Sequence, residues 1–173
     1  NGASEAFGIV RLLDSNSFDP TFLPPKISDS GYIRDLLIQP DDKIVYVGAF
    51  SSGTGATFRN GIGRLNANGV LDSGFSANAG QAYTITEQAG GVLYVGGTTL
   101  QKYSSDGVID PGFNIGTGFS DVIRDIEVQP NGKLIVAGRF LNYNGTSVNH
   151  LVRLANTGAI DPTFSTAGPD GHL

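Results

Sequence analysis

One spacing recurs four times along this chain and constrains its fold more than any other feature. In each copy a basic residue is followed eleven positions later by Phe, and an Asp stands three positions before that Phe. The segments are IVRLLDSNSFDPTF (9–22), IGRLNANGVLDSGF (62–75), LQKYSSDGVIDPGF (100–113) and LVRLANTGAIDPTF (151–164). The recurring residues are Arg11, Asp19 and Phe22; Arg64, Asp72 and Phe75; Lys102, Asp110 and Phe113; and Arg153, Asp161 and Phe164. Such regular self-similarity indicates a repeat architecture.

A second element precedes three of these copies. YIRDLLIQPDDKIVYVGAF (32–50) and VIRDIEVQPNGKLIVAGRF (122–140) are nearly the same, whereas AYTITEQAGGVLYVGG (82–97) has lost the Arg and the Gln-Pro. Each unit predicts four short strands: a partly alternating first strand, an apolar second, a third with the basic residue and a short fourth that ends in Phe. Tight turns such as Asn131-Gly132 and Asn68-Gly69 separate the strands.

Four antiparallel strands in 40 to 50 residues match the size of a propeller blade. The sequence therefore predicts an all-β chain, a β-propeller with four-stranded antiparallel blades, of which about three and a half are present. The predicted divisions are a half blade with strands three and four (1–22), a blade (23–75), a short blade (76–113), a blade (114–164) and a C-terminal tail (165–173). A β-solenoid is the competing architecture, but its coils are usually shorter and lack the paired hairpin turns.

Composition excludes several classes of function. The net charge of −5 and the isoelectric point near 4.8 argue against a nucleic-acid partner, because phosphate binding needs a basic surface. The chain has no Cys, which rules out a disulfide, a thiolate metal site or a Cys nucleophile. No apolar stretch approaches the roughly 18 residues of a membrane span, so no membrane insertion is expected.

The combination of RLNANGVLDSGF and VIRDIEVQPNGKLIVAGRF resembles the delta-60 repeat family of β-propellers. The similarity covers roughly residues 8–165. It implies a propeller within a large secreted or surface-anchored bacterial protein, and hence an extracellular or cell-surface location. The resemblance implies a fold and a setting but no particular reaction.

Three and a half blades are too few to close a ring, so the expected partners are other propeller blades. These belong either to the rest of a longer chain or to further subunits. A homodimer has no spare hairpin of strands one and two to complement the N-terminal half blade. We therefore favour a longer parent chain.

The repeated basic residue, Asp and Phe are interpreted as structural. Residues present in every blade are spread around the ring and do not converge on one point. The Asp suits a turn in which its side chain accepts backbone N–H groups. The basic residue can pair with this Asp or with backbone carbonyls, and the Phe can fill the core between blades. His150 and His172 show no spacing typical of a metal site or a catalytic triad. No catalytic residue, cofactor or metal site is predicted.

Insertions between strands two and three are the irregular parts of the repeat. They span Ser51–Asn60 and Leu141–Asn149 and share a face with the connections Pro24–Ser30 and Asn114–Ser120. Aromatic and amide side chains can stack on and hydrogen-bond a sugar or a peptide, and rigid scaffolds carry specificity on loops. The candidate ligand-binding residues are Phe58, Arg59, Asn142, Tyr143 and Asn144. The alternative is that these are the standard loops of the family.

These features favour a non-catalytic binding or structural module that engages a surface protein or a glycan through propeller loops. Two alternatives stay open: a propeller enzyme, either a hydrolase or a lyase, and a purely architectural spacer in a fibre or adhesin. Fold alone does not separate the three, since propellers serve many functions.

Overall fold

The computed structural model describes residues 8–27, 31–53, 55 and 58–164. The named elements of secondary structure in these ranges are β-strands. No helix in these ranges is long and apolar enough to cross a membrane. The strands are β1 (Tyr32–Ile38), β2 (Ile44–Ser52), β3 (Arg59–Leu65), β4 (Ala82–Gln88), β5 (Val92–Gly97), β6 (Leu100–Tyr103), β7 (Ile123–Val128), β8 (Leu134–Gly138), β9 (Asn142–Tyr143), β10 (Thr146–Ser147) and β11 (Leu151–Leu154). The all-β prediction is confirmed.

The strands form three antiparallel sheets of three strands and one small hairpin. The sheets have the orders β1-β2-β3, β4-β5-β6 and β7-β8-β11, and β9 pairs with β10. Each sheet lies inside one predicted segment, 23–75, 76–113 or 114–164. The second strand is central in every sheet and is apolar because both of its faces are covered. Its buried aliphatic residues are Val45, Val47, Leu93, Val95, Leu134 and Val136, and Tyr46 and Tyr94 are buried beside them.

The expected fourth strand is reduced to one isolated bridge in each unit. The bridges join Leu65 to Leu71, Tyr103 to Ile109 and Leu154 to Ile160. The repeated Asp follows immediately and turns the chain: its carboxylate accepts the N–H two residues on, and its carbonyl accepts the N–H of the Phe. The sheets are therefore three-stranded, where the sequence predicted four strands. Residues 8–22 carry a similar bridge, Leu12 to Phe18, while residues 1–7 and the predicted tail 165–173, with His172, lie outside the described residues.

First strands of consecutive sheets pack against one another, β1 on β4 and β4 on β7. Each carries a β-bulge near its start, after Ile33, Ala82 and Ile123 respectively. A β-carbon on Gly48 would collide with the carbonyl oxygen of Tyr32 on the opposite strand. Glycine is therefore required at this position by the crowded backbone beside the bulge.

The two insertions form hairpins that extend the sheets on one face. The first lengthens β2 and β3, which still pair at Ser51–Asn60 and Ser52–Arg59, and its residues 54, 56 and 57 lie outside the described residues. The second contains β9 and β10, joined through Asn144 and Gly145 with φ of 50° and 78°. Asn-Gly with both φ angles positive is the expected turn for a two-residue hairpin.

Candidate functional site

The repeated residues form what we call the corner of each repeat: its basic residue, its Asp and its Phe. In the second repeat, Nε of Arg64 donates to Oδ2 of Asp72 at 2.9 Å. The same contact joins the other three pairs at 2.7 to 2.8 Å: Arg11–Asp19, Lys102–Asp110 and Arg153–Asp161. The pairing predicted from the repeat is therefore present in all four copies.

An aromatic ring completes each corner. The Arg64 guanidinium carbon lies 4.6 Å from the centre of the Phe75 ring, and the Arg11–Phe22 and Arg153–Phe164 contacts measure 4.9 and 4.8 Å. Lys102 is the exception, because its ammonium lies 6.0 Å from the ring of Tyr94 instead. Cation–π attraction adds to the ion pair in the three arginine corners.

The first and second corners also contact the turn of the following repeat, and the third repeat makes the backbone contact, from the N–H of Asn114 to the carbonyl of Thr157 at 3.1 Å. Nη1 of Arg64 donates to the carbonyl of Ser105, and the N–H of Ser76 donates to the carbonyl of Asp106 at 3.3 Å. The preceding corner makes the equivalent contacts to Ala67 and Asn68. The guanidinium thus satisfies a carboxylate of its own repeat and a carbonyl of the next, which fixes one sheet against its neighbour.

The corner carboxylates are held in the ionised form. A hydrogen bond from Thr21 lowers the pKa of Asp19, and one from Lys102 lowers the pKa of Asp110. Burial acts to raise the pKa of Asp72, but the N–H of Gly74 and the Arg64 guanidinium outweigh it and the pKa is lowered. Hydrogen bonds from Lys133, Thr163 and Arg153 hold the pKa of Asp161 well below its usual range.

Two of the loop residues predicted to bind a ligand lie in the interior. Tyr143 is 1% exposed, packs on Phe119 with ring centres 4.5 Å apart and donates its hydroxyl hydrogen to the carbonyl of Gly158. Burial raises the pKa of Tyr143 to about 12. Arg59 is 2% exposed and donates to the carbonyl of Asp72. Both side chains hold their insertions against the sheet.

The other three predicted residues reach the surface. Oδ1 of Asn144 accepts hydrogen bonds from the N–H and the hydroxyl of Thr117 and so joins the second insertion to the connection before β7. Phe58 and Asn142 are exposed on different insertions. A ligand-binding role for these loops stays a prediction.

A different set of side chains comes together on the first strands. The β-bulges leave Arg34, Tyr83 and Arg124 without a partner in the strand register, one on each of β1, β4 and β7. The guanidinium carbons of Arg34 and Arg124 lie 3.6 and 4.5 Å from the centre of the Tyr83 ring. Arg34 also lies 4.7 Å from the ring of Tyr32. We call these four residues the bulge row.

The arginines of the bulge row have no carboxylate partner among the described residues. Arg34 donates to the hydroxyl of Tyr32 and its Nε is buried without a hydrogen bond. Arg124 is exposed, and within the described part of the chain it has a ring contact with Tyr83 but no hydrogen bond or ion pair. The neighbouring Asp35 is occupied elsewhere, since its two oxygens accept the N–H groups of Leu36 and Ile85. The bulge row therefore presents guanidinium donors that the fold itself does not use.

A cleft of about 520 Å³ adjoins the bulge row at Tyr32. It lies on the face that carries the insertion between β2 and β3. Its lining is mostly small or polar: Gly31, Tyr32, Ala49, Phe50, Ser51, Asn60, Gly80 and Gln81. Together the cleft and the bulge row offer a half-exposed aromatic ring, amide side chains and cationic donors on one surface.

Sequence reasoning missed the bulge row. The signal was present, because the aligned repeats place Arg34 and Arg124 at one position and the short unit has lost that Arg. The one-residue register shift that turns Tyr83 toward both arginines is not visible in the sequence.

Comparison with known families agrees with the architecture. Residues 39–75 and 129–164 match the model of a domain of unknown function, the DUF5122 beta-propeller. The matched segments contain the second and fourth corners and begin just after β1 and β7, so they leave out the bulge row. No curated protein matches the chain. The two matched segments thus carry the repeat of a β-propeller family.

Proposed function

We propose that this chain is a non-catalytic binding module of a secreted or cell-surface bacterial protein with delta-60 repeats. It engages a protein or a glycan on the face that carries the bulge row. The observation behind this proposal is the position of Arg34 and Arg124 against Tyr83 without a carboxylate partner among the described residues. The resemblance to delta-60 repeats also supports treating the bridges at Leu71, Ile109 and Ile160 as shortened fourth strands.

Stability alone gives little reason for the bulge row. A guanidinium carries five N–H donors and is usually placed where a carboxylate, phosphate or carbonyl can receive them. The corners follow this rule, whereas Arg124 has a ring contact and no hydrogen-bond acceptor among the residues that the structure describes. β-Bulges re-aim side chains and are frequent next to functional sites. Three bulges that turn their side chains onto one another therefore favour a ligand site.

The cleft beside Tyr32 supports the same face. Its size falls within the range of roughly 300 to 1,000 Å³ that is usual for small-ligand sites. Amide groups of Asn60 and Gln81 can fix the orientation of a ligand that stacks on Tyr32.

A glycan array and a pull-down from bacterial surface extracts test the proposal with the chain and two variants. Retention that is lost in Arg124→Gln and kept in Arg139→Gln would support it, because Arg139 is also exposed but lies outside the bulge row. Absence of any ligand or partner would favour the architectural spacer. Turnover of polysaccharides or lactones would overturn the non-catalytic assignment.

A further inference from the structure

We propose that the bulge row binds an acidic oligosaccharide, through a carboxylate or sulfate group carried on a sugar ring. This inference rests on the proposed binding function and names its ligand class. Three observations support this inference: the guanidinium groups, the aromatic ring of Tyr32 and the small or polar lining of the cleft.

The guanidinium groups indicate the charge of the ligand. The planar guanidinium fork matches the two oxygens of an oxyanion, and such charge-assisted hydrogen bonds are the strong ones. Arg34 contacts the Tyr83 ring from β1, and Arg124 contacts it from β7. Two cations held near one ring repel each other, and a bound anion relieves that repulsion. The rest of the chain is acidic overall, so the bulge row is a local cationic patch on an anionic protein.

The cleft indicates that the anion is attached to a sugar. Tyr32 is 48% exposed and forms part of the cleft wall, which gives a sugar ring an aromatic surface on which to stack. Asn60 and Gln81 supply amides for hydroxyl groups, and Gly31 and Gly80 let the ligand approach the backbone. A protein partner would ordinarily require a central apolar pocket for an anchoring side chain. The one large aliphatic or Phe side chain in this lining is Phe50, and it is 5% exposed.

Calorimetric titration with defined oligosaccharides tests the inference. The probes are oligogalacturonate, which carries carboxylates, its fully methyl-esterified form, which is neutral and matched in size, and a sulfated galactan oligosaccharide. We expect saturable binding of at least one acidic probe, weakened roughly 10- to 100-fold in Arg124→Gln, as expected for loss of a charge-assisted contact. The carboxylated and sulfated arms distinguish which oxyanion is preferred.

Controls separate ligand contact from damage to the fold. Arg139→Gln removes a similarly exposed charge and should bind as the parent chain does, and Arg34→Lys keeps the charge but loses the planar fork. An unchanged thermal midpoint for Arg124→Gln excludes unfolding as the cause.

The outcomes are distinct. Equal binding of the neutral ester and the acid, abolished by Tyr32→Ala, would overturn this inference and leave the proposed function standing. Binding of a protein alone at the bulge row would do the same. Failure of every oligosaccharide, together with an inert array and pull-down, would overturn both.

Discussion

The corners and the bulge row use the same pair of groups, a guanidinium over an aromatic ring, in opposite ways. At the second corner Arg64 is 5% exposed, pairs with Asp72 and donates to a carbonyl of the next repeat. In the bulge row Arg124 is exposed and has neither contact among the described residues. The ring contacts are similar in length, 4.6 and 4.5 Å, so the surroundings of the cation determine what it does.

This difference separates paired cations from cations without a carboxylate partner among the described residues. The basic residue and the Asp that every repeat shares are paired with each other, and two of the cations also donate to the next turn. Groups that differ between repeats, as Tyr83 differs from the two arginines, are engaged only by each other. In this chain the regular positions form the ion pairs of the corners, and under the proposed function the irregular positions contact the ligand.

Removing the corner cation should have the largest effect. Arg64→Ala removes the ion pair with the partly buried Asp72 carboxylate and the donor to the carbonyl of Ser105. We expect a loss of about 3 kcal/mol in the free energy of unfolding. Arg34→Ala should cost less, about 1 to 2 kcal/mol, since it removes two ring contacts and one hydrogen bond at a partly exposed site. Urea denaturation of both variants measures the difference, and equal losses would contradict the comparison.

A smaller loss in the free energy of unfolding is expected from a change where the Phe75 ring packs on the turn of the following repeat. In Gly107→Ala the new β-carbon would lie 2.8 Å from the Phe75 ring at a φ of 79°, which should cost roughly 1 to 3 kcal/mol. Gly90→Ala is the matched control, because Gly90 has a φ of 92° and open space around its β-carbon position. The additional loss in Gly107→Ala, measured by urea denaturation, reports the contact between repeats. No additional loss would show that the corner tolerates a looser fit.

Acid should weaken the corners and leave the bulge row unaffected. The lowered pKa values of Asp19, Asp72, Asp110 and Asp161 mean that their contribution to stability is present above the unfolded-state pKa of about 3.9 and is lost as the pH falls below it. Thermal midpoints between pH 7 and pH 2 should therefore fall mainly below about pH 4. The fall of the thermal midpoint below about pH 4 should be as steep in Arg34→Gln as in the parent chain. The fall should be shallower in Asp72→Asn.

The smallest effect is expected from the hydroxyl group of Tyr83. Tyr83→Phe keeps the ring that both arginines contact, so the free energy of unfolding should change by less than about 0.5 kcal/mol. Calorimetric affinity for an acidic probe should stay within about twofold, the scale on which mutations without a specific mechanism act. A large change in either would show that the hydroxyl, and not the ring, is the functional group.

The sequence was most informative where an interaction is local. The spacing from Arg64 to Asp72 and Phe75 lies within one hairpin, so the corner could be predicted from one repeat. The sequence predicted a fourth strand in each repeat, whereas the turn at the Asp ends the strand pairing after one bridge. Tyr143 could not be placed, since its burial depends on a carbonyl fifteen residues away in another turn. The bulge row depends on three strand registers at once, which no short pattern encodes.

The contact between corner and turn also has a direction. The second repeat, for example, donates from Arg64 to the turn of the third repeat and accepts at Ala67 from Arg11, so the surface that gives donors and the surface that receives them are different parts of one unit. Duplicating such a unit in a gene creates a compatible neighbour in a single event, without a second mutation to match the new surface. Propellers of this kind can change their number of repeats while the residues of each first strand diverge, and a new binding surface can evolve on a scaffold that stays the same.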